Sequence, residues 1–334
     1  MTDTSGQHRQ RAAQAVAAAL NSPGVPAVHY ETLSGGTYNT VVRAHLTDAA
    51  EPWVIKLPPQ ATHPHLSYET RLLHAEATFY EAASTLPDVP VPRLVRHEPA
   101  PPNPHLIMTS CPGSPWHSAN GDVAFSERHR LRRDLGGHVA RLHTLTGPGF
   151  GYPAEPFGPL TATWREAFTA MTTALLDDAE RYDATLPVGF TECRALLASA
   201  ASSDALDEVT RPTLVHFDLW DGNLLLDGSP GDRRLSGIID GERMFWGDPL
   251  ADCVSLALFG DIEDDRAFLE GYAKEGDPLR FDAPARRRLA LYRAYLYLIM
   301  LVESVPRAYS PQQLARTQER VAPHLLRALD DLRS

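Results

Sequence analysis

The side chains best suited to chemistry fall in one short loop, His216-Phe217-Asp218-Leu219-Trp220-Asp221-Gly222-Asn223. Thr213-Leu214-Val215 runs into it and Leu224-Leu225-Leu226 runs out, so two largely apolar strands bracket a polar turn. The spacing H-x-D-x-x-x-x-N suits phosphoryl transfer, in which the Asp orients and deprotonates an attacking hydroxyl and the Asn holds Mg²⁺. Three fixed positions in eight recur by chance, so the loop gains weight only from the parts that accompany it. His216, beside an apolar strand, reads as a support for the loop through hydrogen bonding rather than as a proton carrier.

Phosphoryl transfer asks a protein mainly to position groups and neutralise charge. Ser34-Gly35-Gly36-Thr37-Tyr38-Asn39-Thr40 lies between two strands, where glycines let the main chain approach a phosphate. Ser34, Gly35, Gly36 and Asn39 are the candidate contacts, although a glycine pair between strands is by itself an ordinary hairpin turn. The next strand carries Val54-Ile55-Lys56. Apart from Lys56 and Lys274, all of the 31 Lys and Arg residues are Arg. A compact ammonium fits a crowded phosphate where a planar guanidinium does not. Three carboxylates on the following helix, Glu69, Glu76 and Glu81, could hold that lysine. Glu76 has the best spacing to Val89-Pro90-Val91-Pro92, and Glu69, about two helical turns earlier, is the alternative. Leu235-Ser236-Gly237-Ile238-Ile239-Asp240 is an apolar strand ending in Asp; Asp240 with Asn223 would be a sufficient protein share of an Mg²⁺ shell. Asp248 before Pro249 reads as a helix N-cap, and Asp248 and Asp252 as supports of the site. There is no G-x-x-x-x-G-K-[ST], which excludes a P-loop nucleotidase.

The elements that would position these groups divide the chain in two. The pattern predicts a leading helix at 7–20, strands at 29–33, 40–46 and 53–57, a helix at 67–85, and strands at 93–97 and 105–109. Cys111-Pro112-Gly113 is the natural hinge. Beyond it helices are expected at 126–145, 163–182, 190–207, 248–259, 263–274, 282–305 and 311–332, with only 213–240 reading as strands. The expected fold class is α+β, with a nucleotide-binding part at 1–110 (an antiparallel sheet with one inserted helix) and a mainly helical catalytic and substrate-binding part at 111–334.

Composition narrows the partners. The chain has 334 residues, 43% hydrophobic, enough for two lobes with a substantial core. A net charge of −11 argues against nucleic acid and mildly favours a cationic small molecule. Cys111, Cys193 and Cys253 are far apart, so reduced thiols in a cytoplasmic protein are expected rather than disulfides or a zinc site. The polar N-terminal residues lack a signal-peptide core, and the longest apolar run, 294–302, is about half the ~18 residues of a membrane span.

In order along the chain, residues 34–42, Val54-Ile55-Lys56, Glu76 leading to Val89-Pro90-Val91-Pro92, 106–113, 135–143, the catalytic-type loop, and Ile238-Ile239-Asp240 through Gly247-Asp248-Pro249 resemble the aminoglycoside phosphotransferase and choline-kinase-like family. The resemblance spans roughly 25–305. It implies a protein-kinase-like two-lobe fold that binds ATP or GTP between the lobes, with the purine read by backbone near Thr109 and Cys111. It also implies Asp218 as the base, Asn223 and Asp240 on Mg²⁺, and Lys56 with Glu76 at the phosphates. The chain departs from the family at Phe217, where Gly is common, at Gly241-Glu242, where an aromatic often follows the metal Asp, and at Thr109, where an acidic residue is common. Protein kinases need a long segment after the metal Asp to hold a peptide. Here Gly247-Asp248-Pro249 follows too soon, so the expected acceptor is a hydroxyl of a small molecule, such as an aminoglycoside, an amino sugar or a choline-like alcohol. A non-catalytic nucleotide-binding pseudokinase is the rival reading. Retention of Lys, Glu, both Asp and Asn argues against it.

Overall fold

The computed structural model describes residues 4–21, 28–33, 38–47, 51–59, 63–119, 121–154 and 158–333. A leading helix, α1 (Thr4–Ala19), precedes β1 (Val28–Leu33), β2 (Thr40–Leu46) and β3 (Trp53–Leu57). Then come α2 (Leu72–Ala83), β4 (Leu94–Glu98) and β5 (His105–Thr109). The five strands form one antiparallel sheet in the order β1-β2-β3-β5-β4. Side chains alternate across a sheet with period two, and β3 uses both faces. Ile55 and Leu57 join Val42, Ala44 and Ile107 in a small core closed by Ala12, Ala15 and Val16 of α1. Lys56 and Val54 therefore face the other way, toward α2 and the helical part. Lys56 sits mid-sheet, opposite Val41 on one side and Leu106 on the other.

The helical part contains β6 (Ser114–Pro115), α3 (Trp116–Ala119), α4 (Phe125–Leu142), α5 (Trp164–Arg181) and α6 (Phe190–Ala201). It continues through β7 (Thr213–Val215), β8 (Leu224–Asp227), β9 (Arg234–Ile238), β10 (Phe245–Gly247), α7 (Asp252–Leu256), α8 (Arg266–Glu275), α9 (Ala283–Val302) and α10 (Pro311–Arg333). One apolar cluster runs from α2 and the inner sheet face into these helices. Residues 294–302 are the buried end of α9. Among the described residues, no helix is long and apolar enough to cross a membrane.

Several expected boundaries shift for local reasons. The helix expected at 67–85 is a 3₁₀ turn, Ser67–Arg71, followed by α2, because Arg71 (φ −137°, ψ 44°) leaves helical geometry. Residues 190–207 divide into α6 and a 3₁₀ turn, Asp204–Glu208. The stretch expected at 248–259 is a 3₁₀ turn, Pro249–Ala251, and the short α7. Strands also occur outside 213–240: β10 pairs antiparallel with β7, and β6 with β8. Two or three residues are too few to display a period-two pattern.

Helices α4 and α8 cross so closely that side chains are excluded at the contact. A Cβ on Gly271 would lie 1.9 Å from the Arg133 carbonyl oxygen, and one on Gly136 2.1 Å from that of Phe268. Backbone cannot yield as a flexible side chain does. Gly271→Ala should therefore destabilise the fold by about 1–3 kcal/mol through overpacking, read as a lowered urea midpoint.

Candidate active site

The loop after β7 hangs on one carboxylate. Asp252, at the start of α7, accepts the backbone N–H of His216 (3.1 Å) and of Phe217 (2.6 Å), and lies 3.0 Å from Nε2 of His143. Ser255 Oγ accepts the Leu219 N–H at 2.9 Å. These bonds hold Phe217 in the left-handed region (φ 61°), where a bulky residue is strained. Its ring is buried against Phe245 and Tyr295, with centroids 5.1 and 5.8 Å away. The turn presents Asp218 next in the chain.

His216 donates from Nε2 to the Ile239 carbonyl (3.0 Å) and accepts the Asp218 N–H at Nδ1 (3.2 Å). Burial holds its pKa below the usual imidazole value, so one tautomer of a neutral ring fits both bonds. Asn223 Nδ2 donates to the Asp218 backbone carbonyl (2.9 Å) and to its carboxylate (3.0 Å). The amide oxygen of Asn223 is the atom those bonds leave for a cation. The Asn223 backbone carbonyl accepts the Ile239 N–H at 3.0 Å, which stitches the loop to the segment carrying Asp240.

Lys56 meets this segment from the sheet. Its ammonium lies 2.7 Å from Glu76 and 3.4 Å from Glu242, and is in contact with Asp240. Tyr80, one turn after Glu76, donates to the Glu76 carboxylate (3.1 Å) and accepts the Asp240 N–H (3.0 Å). Asp240 is left-handed (φ 66°), a conformation Asp tolerates better than most residues. Gly241 follows because the Phe79 ring fills the space of a side chain: a Cβ there would lie 2.6 Å from it.

Burial alone would push the Lys56 pKa down, but Asp240, Glu76 and Glu242 outweigh it and hold it well above the ordinary lysine value. Burial pushes Asp240 up, and Lys56 more than reverses this. Glu76 ends raised, because burial outweighs its lysine. Glu242 is pushed up to about 8 by burial and by the Asp240 charge. Burial also raises Asp218, against the pull of Arg243. One ammonium therefore faces three carboxylates whose oxygens lie within 4.8 Å of one another. Hard oxygen donors with uncompensated negative charge fit a divalent ion of the Mg²⁺ type.

The five principal side chains predicted from sequence, Lys56, Glu76, Asp218, Asn223 and Asp240, thus converge. Glu76 rather than Glu69 or Glu81 meets Lys56; Glu69 binds Arg307 at 2.6 Å, and Glu81 is exposed. Asn39 is buried and donates to Glu242 at 2.8 Å. Ser34, Gly35 and Gly36 lie outside the described residues. Thr109 commits its amide to the Arg93 carbonyl and accepts the Arg93 N–H at its hydroxyl, both at 2.9 Å. The Ser110 amide is bonded to the Pro52 carbonyl at 2.8 Å. Neither the Thr109 nor the Ser110 amide is therefore left to read a base. Burial pushes the Cys111 thiol up to about 11, which keeps it protonated and unreactive.

Two residues here escaped the sequence reading, Glu242 and Arg243. Glu242 had a signal, an acid two positions after Asp240. Arg243 had none. Its guanidinium is buried, 2.9 Å from Glu303, and its charge acts on Asp218. That partner is sixty positions away in sequence. Asp252→Ala would leave two buried amides unpaired, and should destabilise the protein on the order of 3 kcal/mol, measured by chemical denaturation.

Comparison with known proteins follows the same lines. The profile of the phosphotransferase enzyme family matches residues 29–292. A 4-hydroxytryptamine kinase of Psilocybe cubensis is 27% identical over 157 residues, covering 42% of this chain and 41% of that protein. The chain thus aligns with about two fifths of the length of this curated relative. Among solved structures, the fold is similar to that of APH(2'')-IIa in its streptomycin–ATP ternary complex (TM-score 0.56, 18% identity, 93% of this chain and 96% of that one). It is similar also to that of an ethanolamine kinase of Plasmodium vivax (TM-score 0.61, 11% identity, 93% and 85%).

Proposed function

This chain belongs to the phosphotransferase enzyme family, and from that premise we propose that it transfers the γ-phosphoryl group of ATP, with Mg²⁺, to a hydroxyl of a small polar molecule. The observation that carries the reading is the convergence of Lys56, Glu76 and Asp240 with the Asp218–Asn223 pair. Names among the relatives support the acceptor class: one is a 4-hydroxytryptamine kinase, another an ethanolamine kinase, and a third is seen with streptomycin and ATP. GTP would fit the same backbone-read purine site. The buried or half-buried free cysteines agree with a reducing, cytoplasmic setting.

In this mechanism Asp218 accepts the acceptor's hydroxyl proton as its oxygen attacks the γ-phosphorus, and ADP leaves. Asn223 holds the Asp218 carboxylate in place through Nδ2, and Lys56, steadied by Glu76, binds the phosphates. Mg²⁺ on Asp240 and the Asn223 amide oxygen, with Glu242 adjacent, would supply charge neutralisation of the phosphates. None of the five groups is replaced, so nothing favours the non-catalytic reading.

Asp218→Asn should lower kcat by about 10²–10⁴-fold, the span of general-base catalysis, while nucleotide affinity stays near that of the parent. Near-parental turnover would remove Asp218 from the role. Lys56→Ala should weaken nucleotide binding or slow transfer, and chelation by EDTA should stop turnover until Mg²⁺ is restored. The decisive experiment is ADP release and mass detection of a phosphate adduct across aminoglycosides, amino sugars, polyols, ethanolamine and 4-hydroxytryptamine. Silence with every member would overturn the proposal.

A further inference from the structure

The link between β3 and α2 does not stay with the sheet. Tyr182, at the end of α5, donates to the His65 carbonyl (2.7 Å) and accepts the His65 N–H (3.1 Å). Two residues on, Ser67 turns its amide and its hydroxyl toward α5. Asp178 accepts them at 2.6 and 2.7 Å, one on each carboxylate oxygen. Glu69 caps the Leu66 amide (2.7 Å) and binds Arg307, beyond α9, at 2.6 Å. Residues 65–69 are in this way strapped across to the helical part.

The strap runs directly into α2. Arg71 leaves helical geometry, and no side chain caps the first turn of α2. The start of α2 is therefore placed by the segment before it rather than by a cap of its own. Further along, the Phe79 ring meets that of His216, with centroids 5.0 Å apart, and Tyr80 accepts the Asp240 N–H (3.0 Å). At its start and in its middle, then, α2 is fastened to the helical part, although it is inserted between strands of the sheet. Lys56 comes from β3. The 2.7 Å Lys56–Glu76 pair thus joins the sheet to a helix that the helical part positions.

Asp178 is the firmest point of the strap. It is buried, its charge is offset by Arg181 at 2.7 Å, and both of its oxygens still hold Ser67. Hydrogen bonds to an ionised carboxylate are stronger than those between neutral groups. Of the three carboxylates around Lys56, Glu76 alone comes from α2; Asp240 and Glu242 belong to the turn after β9. A shift of α2 would leave the ammonium to the two carboxylates beside the cation site and draw it from the phosphates. Resting on the phosphotransferase reading above, we propose that Asp178 is a positioning residue for nucleotide binding: by fixing Ser67 it fixes α2, and so keeps Glu76 on Lys56.

The test is a double-mutant cycle on the whole chain, with MgATP affinity read by calorimetry and Tm measured alongside. Asp178→Ala and Glu76→Gln should each weaken MgATP binding about tenfold, and the double variant should bind no more weakly than Glu76→Gln alone. A merely structural role does not pass through Glu76, so its loss would multiply with that of Glu76→Gln. Multiplying losses therefore overturn the proposal while leaving phosphotransfer intact, as does a lowered Tm with parental MgATP affinity in Asp178→Ala. If Asp178→Ala does not fold, Ser67→Ala carries the test, because it deletes the hydroxyl bond alone. It should weaken MgATP about threefold in the parent and not at all in the Glu76→Gln background. Parental affinity in that variant overturns the proposal. A parent that binds no MgATP overturns it together with the phosphotransferase reading.

Discussion

A single buried ammonium ties the molecule together. Lys56 points off the middle strand of the sheet, and an unpaired charge there would cost several kcal/mol even after relaxation. The carboxylates that offset that cost come from elsewhere: Glu76 from α2, and Asp240 and Glu242 from the turn after β9. Sheet, helix and helical part are therefore held in one arrangement by the need to pair one charge. Tyr80 reinforces it by bonding Glu76 and the Asp240 backbone together. The carboxylates outnumber the ammonium, so the cluster that cross-links the fold is also suited to cations and, through Lys56, to phosphates.

The loop that faces this cluster relies on a second buried carboxylate. Asp252 binds two consecutive amides and so holds Phe217 in a left-handed turn that a bulky residue rarely adopts. The aromatic packing of Phe217 and the two amide bonds oppose the strain together. Glycine would meet the same turn without strain, so Phe in its place is a departure that the surrounding packing must sustain. The outcome for the site is rigidity: Asp218 and Asn223 project from a turn whose backbone is bonded on both sides.

Much of this could be read along the chain. Alternation and turn residues located the five strands of the sheet to within a residue or two, and α2 was visible in the spacing of Leu72, Leu73, Phe79 and Ala83. The polar loop, the strand lysine and the strand-ending Asp240 each had a local pattern. Other features had none. The break at Arg71 is a matter of backbone angles that composition does not reveal. β10 is three residues long, and only its pairing with β7 makes it a strand. Asp252 looked like support for the site, but its hold on two particular amides required the loop and α7 to be in place. Glu76 could be preferred to Glu69 from spacing alone; why Glu69 is unavailable, its bond to Arg307, lies 238 positions away.

By itself the sequence determined which residue types sit on strands, on α2 and in the polar loop, because those follow from periods of two and 3.6 and from turn chemistry, all local. It also determined the order of the reactive groups. Tertiary structure alone decided how their charges balance. Glu242 lies 3.4 Å from Lys56, and Arg243, Glu303, Arg307 and Glu69 form a line of alternating charge whose first member also acts electrostatically on Asp218. The physical reason is range. Backbone preference acts over a few residues, whereas the energy of a buried charge depends on every group that folding brings within a few ångströms of it, however far away in the chain.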